Sequence, residues 1–416
     1  MEKNYVIIGN GTAAAGCIEG IRSVDKDTPI TVISKETWPV YCRPLISYYL
    51  EGKAHVERMN YRPADFYEKN GCRVLYGVTA EKIDAENKTV TVSTGEALPY
   101  SSLCIASGSS PFVPPFTGLE TVSVKFPFLT LDDALALEKV LTPEARVLIV
   151  GAGLIGLKCA EGIAERVGHI TVCDLADRVL SSIFDNDCAK MMQDKLEEHG
   201  MEFLLSDTVT EFKGNTAVMK SGKKIDFDIL VLAIGVRANS GIAKEAGAEV
   251  NRGIVVDHGM RTTAAGIYSA GDCAEGPDMS IGKNRVLAIL PNAYIQGRTA
   301  GINMAGGEAV FDNAIPMNAI GFYGLHSMSA GTSFPESEGG AVYEERSEGT
   351  MKRLFTKDGL LTGFMLIGNV DRAGIYTAMI RNRVPLDSVD FEKLKKEPAL
   401  AAFSKDYRVK VLGGEV

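Results

Sequence analysis

One tryptophan, five histidines and eight dispersed cysteines leave little room for metal or disulfide chemistry. The cysteines stand at 17, 42, 72, 104, 159, 173, 188 and 273. No two form a CxxC pair, which disfavours a zinc knuckle, an iron–sulfur ligand run and a secreted disulfide framework. The histidines form no HxxxH or HExxH pairing, so no metal centre is expected. No run of 18 uninterrupted apolar residues occurs, and no membrane span is predicted. Lys and Arg total 44 against 53 Asp and Glu, a net charge of −9 without any long basic run. Nucleic acid is therefore not an expected partner. Met1-Glu2-Lys3-Asn4 leads at once into an apolar strand, with neither a signal-type apolar helix nor a small-residue cleavage site. The expected compartment is the cytoplasm, with reduced thiols.

What the chain has is length and glycine. Its 416 residues, 43 of them Gly, suit two or three domains, and 45% apolar with 23% charged residues is the balance of a soluble globular protein. Two glycine fingerprints lie 142 residues apart. The first follows the apolar strand Tyr5–Ile8 as Gly9-Asn10-Gly11-Thr12-Ala13-Ala14 and opens an alanine-rich helix expected over 12–22. Gly9 permits the turn, Gly11 lets the backbone approach a pyrophosphate, and small Ala14 takes the position where helix and strand pack closely. A strand at Ile30–Ser34 follows, and then Glu36, a carboxylate suited to a ribose diol, a little beyond the usual place at the strand end. The second fingerprint, Gly151-Ala152-Gly153-Leu154-Ile155-Gly156, is a full GxGxxG opening a helix expected over 154–166. The next strand, 169–173, ends at Asp174, 23 residues after Gly151. An acid there accepts a hydrogen bond from the ribose 2′-hydroxyl and repels a 2′-phosphate, so NADH is expected in preference to NADPH. Arg178, the nearby basic residue, is assigned a structural role beside Asp177.

At this point the chain resembles the FAD-dependent pyridine nucleotide-disulfide oxidoreductase superfamily. Ile105-Ala106-Ser107-Gly108 is similar to the strand-and-turn that closes the FAD domain. Gly271-Asp272 resembles the second FAD motif, whose aspartate accepts from the ribityl chain. Asn292 and Ala293 open a helix resembling the one whose N-terminus faces the flavin pyrimidine, where it stabilises negative charge on the reduced ring. Ala233-Ile234-Gly235 resembles the turn that returns the chain from the NAD domain. Ala80 and Ile155 complete the residues that the resemblance assigns to the two nucleotides. It implies an α/β fold of two Rossmann-like three-layer nucleotide-binding domains plus a C-terminal α+β interface domain. The expected boundaries are 1–112 with 240–313 for FAD, 113–239 for an inserted NAD domain, and 314–416 for the interface domain. Within the insert a helix is expected over 187–199, and strands around 203–212 and 216–220. Beyond 313, strands are expected at 351–356 and 363–367, with a helix near 372–381.

The branches of the superfamily differ in what faces the flavin. No CxxxxC pair exists here. Instead Tyr41-Cys42-Arg43-Pro44-Leu45-Ile46-Ser47 resembles the YxRPxLS stretch of rubredoxin reductases, ferredoxin reductases and the flavoprotein part of NADH-dependent nitrite reductases. Arg43 and Pro44 are then expected to border the flavin, Arg43 as a fixed positive charge. Where ferredoxin-reductase relatives often set a lysine against a glutamate near flavin N5, this chain has Tyr48 and Lys158. Lys158 is therefore expected on the nicotinamide side of the ring, helping to stabilise reduced flavin. The implied function is an NADH:acceptor oxidoreductase with FAD and NAD(H) as cofactors. It passes electrons to rubredoxin, ferredoxin or an iron–sulfur subunit. The alternatives are a single-cysteine NADH oxidase or coenzyme A disulfide reductase using Cys42, and a non-turnover FAD-binding subunit. Whether the protein is a homodimer or part of a larger oxidoreductase is left open by the sequence.

Overall fold

The computed structural model describes residues 3–332 and 339–412; Met1, Glu2 and the last residues of the expected C-terminal domain lie outside them. The chain forms two compact units, one of residues 3–175, 201–278 and 282–312, the other of residues 176–200, 279–281 and the described part of 313–416.

In the first unit, two five-stranded parallel sheets are built to the same plan. One runs Ile267–Ser269, Ser102–Ile105, Tyr5–Ile8, Ile30–Ser34, Cys72–Tyr76. The other runs Met201–Leu205, His169–Asp174, Arg146–Val150, Ile229–Leu232, Lys125–Pro127. Each central strand is buried along nearly its whole length, as parallel strands covered on both faces must be. Val6 and Ile8 alternate to one face of the first sheet and pack against Ile83, Val90, Val92 and Leu98 of a three-stranded antiparallel meander. Leu148 and Val150 do the same in the second sheet against Val209, Phe212, Ala217 and Met219 of a second meander. Helices cover the opposite faces, giving each module three layers. The stretch expected around 203–212 is thus two strands with different partners, Met201–Leu205 in the parallel sheet and Val209–Lys213 in the meander. Ser206, at φ 56°, separates them.

Two helices far apart in sequence, Thr12–Val24 and Leu290–Met304, lie against one another over the first sheet. Their crossing is lined with glycines that admit the partner's backbone. A Cβ on Gly16 would stand 2.3 Å from the Tyr294 carbonyl oxygen, and one on Gly20 2.2 Å from that of Arg298. From the other side, a Cβ on Gly297 would stand 1.9 Å from the Ala13 carbonyl oxygen, and one on Gly301 2.1 Å from that of Cys17. No side chain fits in that space.

The polypeptide passes between the modules twice, and the two crossings pair as an antiparallel ribbon, Ser109–Pro111 with Val236–Ala238. Asn239 secures it: its Nδ2 donates to the Ser107 carbonyl at 2.9 Å while the Ser107 hydroxyl donates to the Asn239 carbonyl at 2.8 Å.

The second unit has a five-stranded antiparallel sheet in the order Met317–Phe322, Leu325–Gly331, Leu360–Ile367, Thr350–Lys357, Ala341–Ser347, with the helix Gly374–Arg381 packed on it. The helix expected inside the NAD module forms at Asn186–Glu197 but belongs to this unit. Its Cys188 is buried with Sγ 3.3 Å from Met351 Sδ, and Arg353 binds Asp185, Asp187 and Glu344 together. Arg178 has the expected local role, donating to the Phe184 carbonyl at 3.0 Å and pairing with Asp177 at 2.7 Å.

Because a Cβ at Gly297 meets immovable backbone, Gly297→Ala is expected to destabilise the fold by about 1–3 kcal/mol or more, as overpacking does. Gly241→Ala, where nothing lies within 4 Å of the added atom, should be neutral or stabilise by up to ~1 kcal/mol. Denaturant midpoints measured on both would disprove this packing account if the two variants proved equally stable.

Candidate active site

Both fingerprints leave their central strand and enter their helix with the same geometry. Gly9 has φ 110° and Gly151 φ 118°, which L side chains rarely adopt. A Cβ on Gly9 would lie 2.0 Å from the Ala106 carbonyl oxygen, and one on Gly151 2.3 Å from that of Ala233. The Gly9 N–H donates to Ile33 and the Gly151 N–H to Cys173, each at 2.8 Å. The Ala106 and Ala233 N–H groups donate back to Ile8 and Val150 at 2.7 and 2.8 Å. So the turn expected to close the first module and the one expected to leave the second are equivalent pieces, each seating the first glycine of a fingerprint.

The middle glycines are different. Around Gly11 and Gly153, nothing of the chain lies within 4 Å of an added Cβ. Both are N-caps in extended conformation with no side-chain cap, so the first N–H groups of each helix have no side-chain acceptor at that cap. An open space in front of uncapped N–H groups and a helix dipole suits a pyrophosphate. Gly156 completes the second site by packing: its Cβ would fall 2.0 Å from the Gly151 carbonyl oxygen, while fully buried Ala14 fills the matching place in the first. Ile155 lies half-buried in the first turn of the helix Leu154–Ile163. Both cradles fit a dinucleotide.

Around the first cradle, the Gly271-Asp272 turn is held to the helix Leu290–Met304 by Gln296, whose Oε1 accepts from the Gly271 N–H at 2.9 Å. Asn292 and Ala293, both buried, sit in the first turn of that helix, which carries no acidic residue there. Gln296 escaped the sequence reading because a buried glutamine inside a helix carries no motif of its own. The Asp272 carboxyl is raised above the usual carboxylate range by burial, with Arg43 and the Ser109 hydroxyl pulling it back. Gly108 and Gly235, at φ 65° and 127°, flank the crossing ribbon, and Ser107 is bound to Asn239. Ala80 opens the first meander and packs on the module core.

Two cations are paired more closely than their positions in the sequence suggest. Arg43 Nη2 donates to Glu36 Oε1 at 2.6 Å, and Glu36 Oε2 accepts from the Tyr41 hydroxyl at 2.7 Å. Arg43 is thus a compensated charge, and Glu36 is an anchored acid whose remaining lone pairs can still accept from a ribose hydroxyl. Pro44 caps the short helix Leu45–Leu50, which packs on Leu154–Ile163 so tightly that a Cβ on Gly162 would stand 2.7 Å from the Ser47 carbonyl oxygen. In that seam Lys158 pairs with Glu161 at 2.6 Å, their side chains 17% and 10% exposed, and its ammonium lies 5.2 Å from the centre of the Tyr48 ring. Lys158 is neither in solvent nor an uncompensated charge. Asp174 Oδ2 accepts from the Ala152 N–H at 2.7 Å, which fixes the acid against the second glycine turn.

Cys42 lies half-buried, and burial pushes its thiol up, away from the thiolate that nucleophilic chemistry needs. Among the described residues no group of three or more His, Cys, Asp or Glu is placed to hold a metal ion. No helix among them is long and apolar enough to cross a membrane.

Since Gly11 and Gly153 face open space, Gly153→Ala should leave the unfolding midpoint near that of the parent while weakening nucleotide binding at least ~10-fold. Gly151→Ala should instead destabilise the fold, because its Cβ meets backbone at positive φ. Paired calorimetry and NADH titration would refute the cradle assignment if Gly153→Ala bound nucleotide normally.

The family model described as pyridine nucleotide-disulphide oxidoreductase matches residues 3–297. The epsilon subunit of NADH-dependent phenylglyoxylate dehydrogenase from Aromatoleum evansii is 31% identical over 391 residues, covering 92% of each chain. The NAD(P)H nitrite reductase of Bacillus subtilis (strain 168) is 30% identical over 92% of this chain but 48% of its own length, so the chain spans about half of that relative. In fold, the chain is similar to a structure of the covalent putidaredoxin reductase–putidaredoxin complex, with a TM-score of 0.87 and 24% identity over 96% of this chain and 99% of that one. The chain belongs to the pyridine nucleotide-disulphide oxidoreductase family, enzymes that work with FAD and a pyridine nucleotide.

Proposed function

We propose that the protein is a cytoplasmic NADH:acceptor oxidoreductase that draws two electrons from NADH and delivers them, through FAD, to an external rubredoxin-type or iron–sulfur carrier. That carrier is a free protein or a partner subunit. The observation carrying this reading is the pair of equivalent open cradles in one compact unit, combined with a sequence that has no CxxxxC pair to receive the electrons. Bound FAD supplies the conversion of a two-electron donor into one-electron steps.

The chain's own residues bind and orient. In this reading the first cradle takes FAD: Gly11 and the N-terminus of Thr12–Val24 take the pyrophosphate, Glu36 a ribose, and Asp272 the ribityl hydroxyls. Ala80, Ala106, Ser107 and Gly108 line the same module, with Pro44 at the flavin. With Arg43 compensated by Glu36, stabilisation of negative charge on the reduced ring falls to the N-terminus of Leu290–Met304 at Asn292 and Ala293. The second cradle takes NADH at Gly151, Gly153, Ile155 and Gly156, with Asp174 on the ribose and Gly235 at the return turn. Lys158, paired with Glu161, would lie on the nicotinamide side of the flavin. No side-chain acid or base is required for the transfer itself, so alignment is the protein's contribution.

The names of the relatives support the reading, since one is an NADH-dependent subunit and the other a nitrite reductase using NAD(P)H. The raised Cys42 thiol weighs against single-cysteine chemistry.

An anaerobic pull-down from native extract, followed by NADH turnover with whatever iron–sulfur protein co-purifies, tests the proposal. Catalytic reduction of the carrier is expected, and Cys42→Ser should retain it in full. Stoichiometric flavin bleaching without turnover would point to a non-turnover subunit, and loss of activity in Cys42→Ser to thiol chemistry. For the nucleotide preference, Asp174→Ala should lower the NADH:NADPH ratio of kcat/KM by about 10-fold or more, as losing a ribose-specific acceptor does. An unchanged ratio would mean that Asp174 has no part in the nucleotide preference.

A further inference from the structure

The segment from Glu36 to Arg43 has a second task that its place in the first cradle does not explain. Three of its side chains grip one short turn of the other module. Trp38 Nε1 donates to Asp132 Oδ1 at 2.9 Å, the Tyr41 hydroxyl accepts from the Leu131 N–H at 3.0 Å, and Arg43 Nη1 donates to the Leu129 carbonyl at 3.0 Å. That turn directly follows Lys125–Pro127, the edge strand of the second sheet, and opens the helix Leu131–Glu138. It is stiff in its own right. Thr130 and Asp133 form a capping box, and Asp133 Oδ2 accepts from the N–H groups of Leu129 and Thr130 at 3.0 and 2.8 Å.

The same segment is tied to the floor of the first cradle. Asn10, between the two glycines of the first fingerprint, donates from Nδ2 to the Trp38 carbonyl at 3.3 Å, and its Oδ1 accepts from the Tyr67 hydroxyl at 2.6 Å. One chain of contacts therefore runs from the Gly9-Asn10-Gly11 turn through Trp38 to Asp132. A second runs from Glu36 through the Tyr41 hydroxyl to Leu131. Tyr41 is buried, and burial with the Glu36 charge holds its hydroxyl well above the ordinary tyrosine range, so it keeps the proton it donates.

The direct covalent connection between the modules is a ribbon of two three-residue strands. Such a ribbon fixes a position but leaves an angle free, and attachments away from it remove that freedom. The Gly162–Ser47 helix packing is one such attachment. The grip on 129–132 is the one that also touches the first fingerprint and Glu36.

We infer that Trp38 and Tyr41 are positioning residues for the reaction between the two nucleotides: by locking the turn at Leu129–Asp132 to the floor of the first cradle, they set how the nicotinamide stacks on the flavin. This rests on the proposed NADH-to-FAD reaction. The energetic lever is alignment, since a misplacement of about 1 Å can lower a rate by about 100-fold without loss of binding.

The test is anaerobic stopped-flow reduction of the FAD-loaded protein by NADH. It reads the limiting rate of flavin bleaching, the apparent Kd for NADH and the long-wavelength charge-transfer absorbance that reports ring stacking. Asp132 is exposed and lies outside both cradles. Asp132→Ala is expected to lower the limiting rate by about 3- to 30-fold and to weaken the charge-transfer band, with NADH Kd within about 2-fold and flavin content unchanged. Asp132→Asn, which keeps an Oδ1 acceptor for Trp38, should restore both. Tyr41→Phe should act in the same direction, and if it fails to fold or hold FAD, the Asp132 pair decides. Unchanged rate and band in Asp132→Ala, or an effect confined to Kd, overturns the inference. If NADH fails to bleach the flavin of the unaltered protein, it is the underlying two-nucleotide reading that falls.

Discussion

Backbone-to-backbone contact between Thr12–Val24 and Leu290–Met304 is the constraint on which the first site depends. Four glycines, at 16, 20, 297 and 301, let each helix rest on the other's main chain. That proximity brings residues near 270–297 onto a fingerprint at the start of the chain. A Cβ on Gly271 would already lie 3.0 Å from the Cβ of Ala13, and Gln296 pins the Gly271 N–H from the later helix. Asp272, the helix N-terminus at Asn292 and Ala293, and the Gly9-Asn10-Gly11 turn are thereby brought close together. Separating the helices by a methyl group would displace all three together.

The second organising feature is repetition. Both modules set an apolar central strand between two parallel neighbours, press the first glycine of the fingerprint on the carbonyl of Ala106 or Ala233, and leave the second glycine facing open space. The chemical difference between the cradles comes from what is added to this frame. The first gains Glu36, Arg43 and Asp272, the second Asp174 pinned to Ala152. Distinct sites on a common frame are what a reaction between two unlike dinucleotides requires.

Charge compensation is the third. Arg43 with Glu36, and Lys158 with Glu161, are close pairs in partly buried places, where each charge keeps an opposite partner at hydrogen-bond distance. Neither cation acts as the isolated positive charge that its type and place in the sequence imply. The dipoles of Thr12–Val24 and Leu290–Met304, whose first turns carry no acidic residue, add positive potential at their N-terminal ends.

The sequence by itself determined the local pieces. The strands at Tyr5–Ile8 and Ile30–Ser34, the two fingerprints, the acid at Asp174 and the absence of a CxxxxC pair are all short-range patterns, set by apolar periodicity, glycine spacing and residue type. Several features escaped it because they depend on partners far away in the chain. The stretch at 203–212 divides between two sheets, and the helix Asn186–Glu197 joins the C-terminal unit through Arg353, Met351 and Met365. Gln296, Glu161 and Trp38 belong to no motif and acquire their roles only from what folding sets beside them. Local steric rules decide where a chain can turn to meet a phosphate; which charges are neutralised, and which turn is held against which, is decided by tertiary packing, because those interactions act across space rather than along the chain.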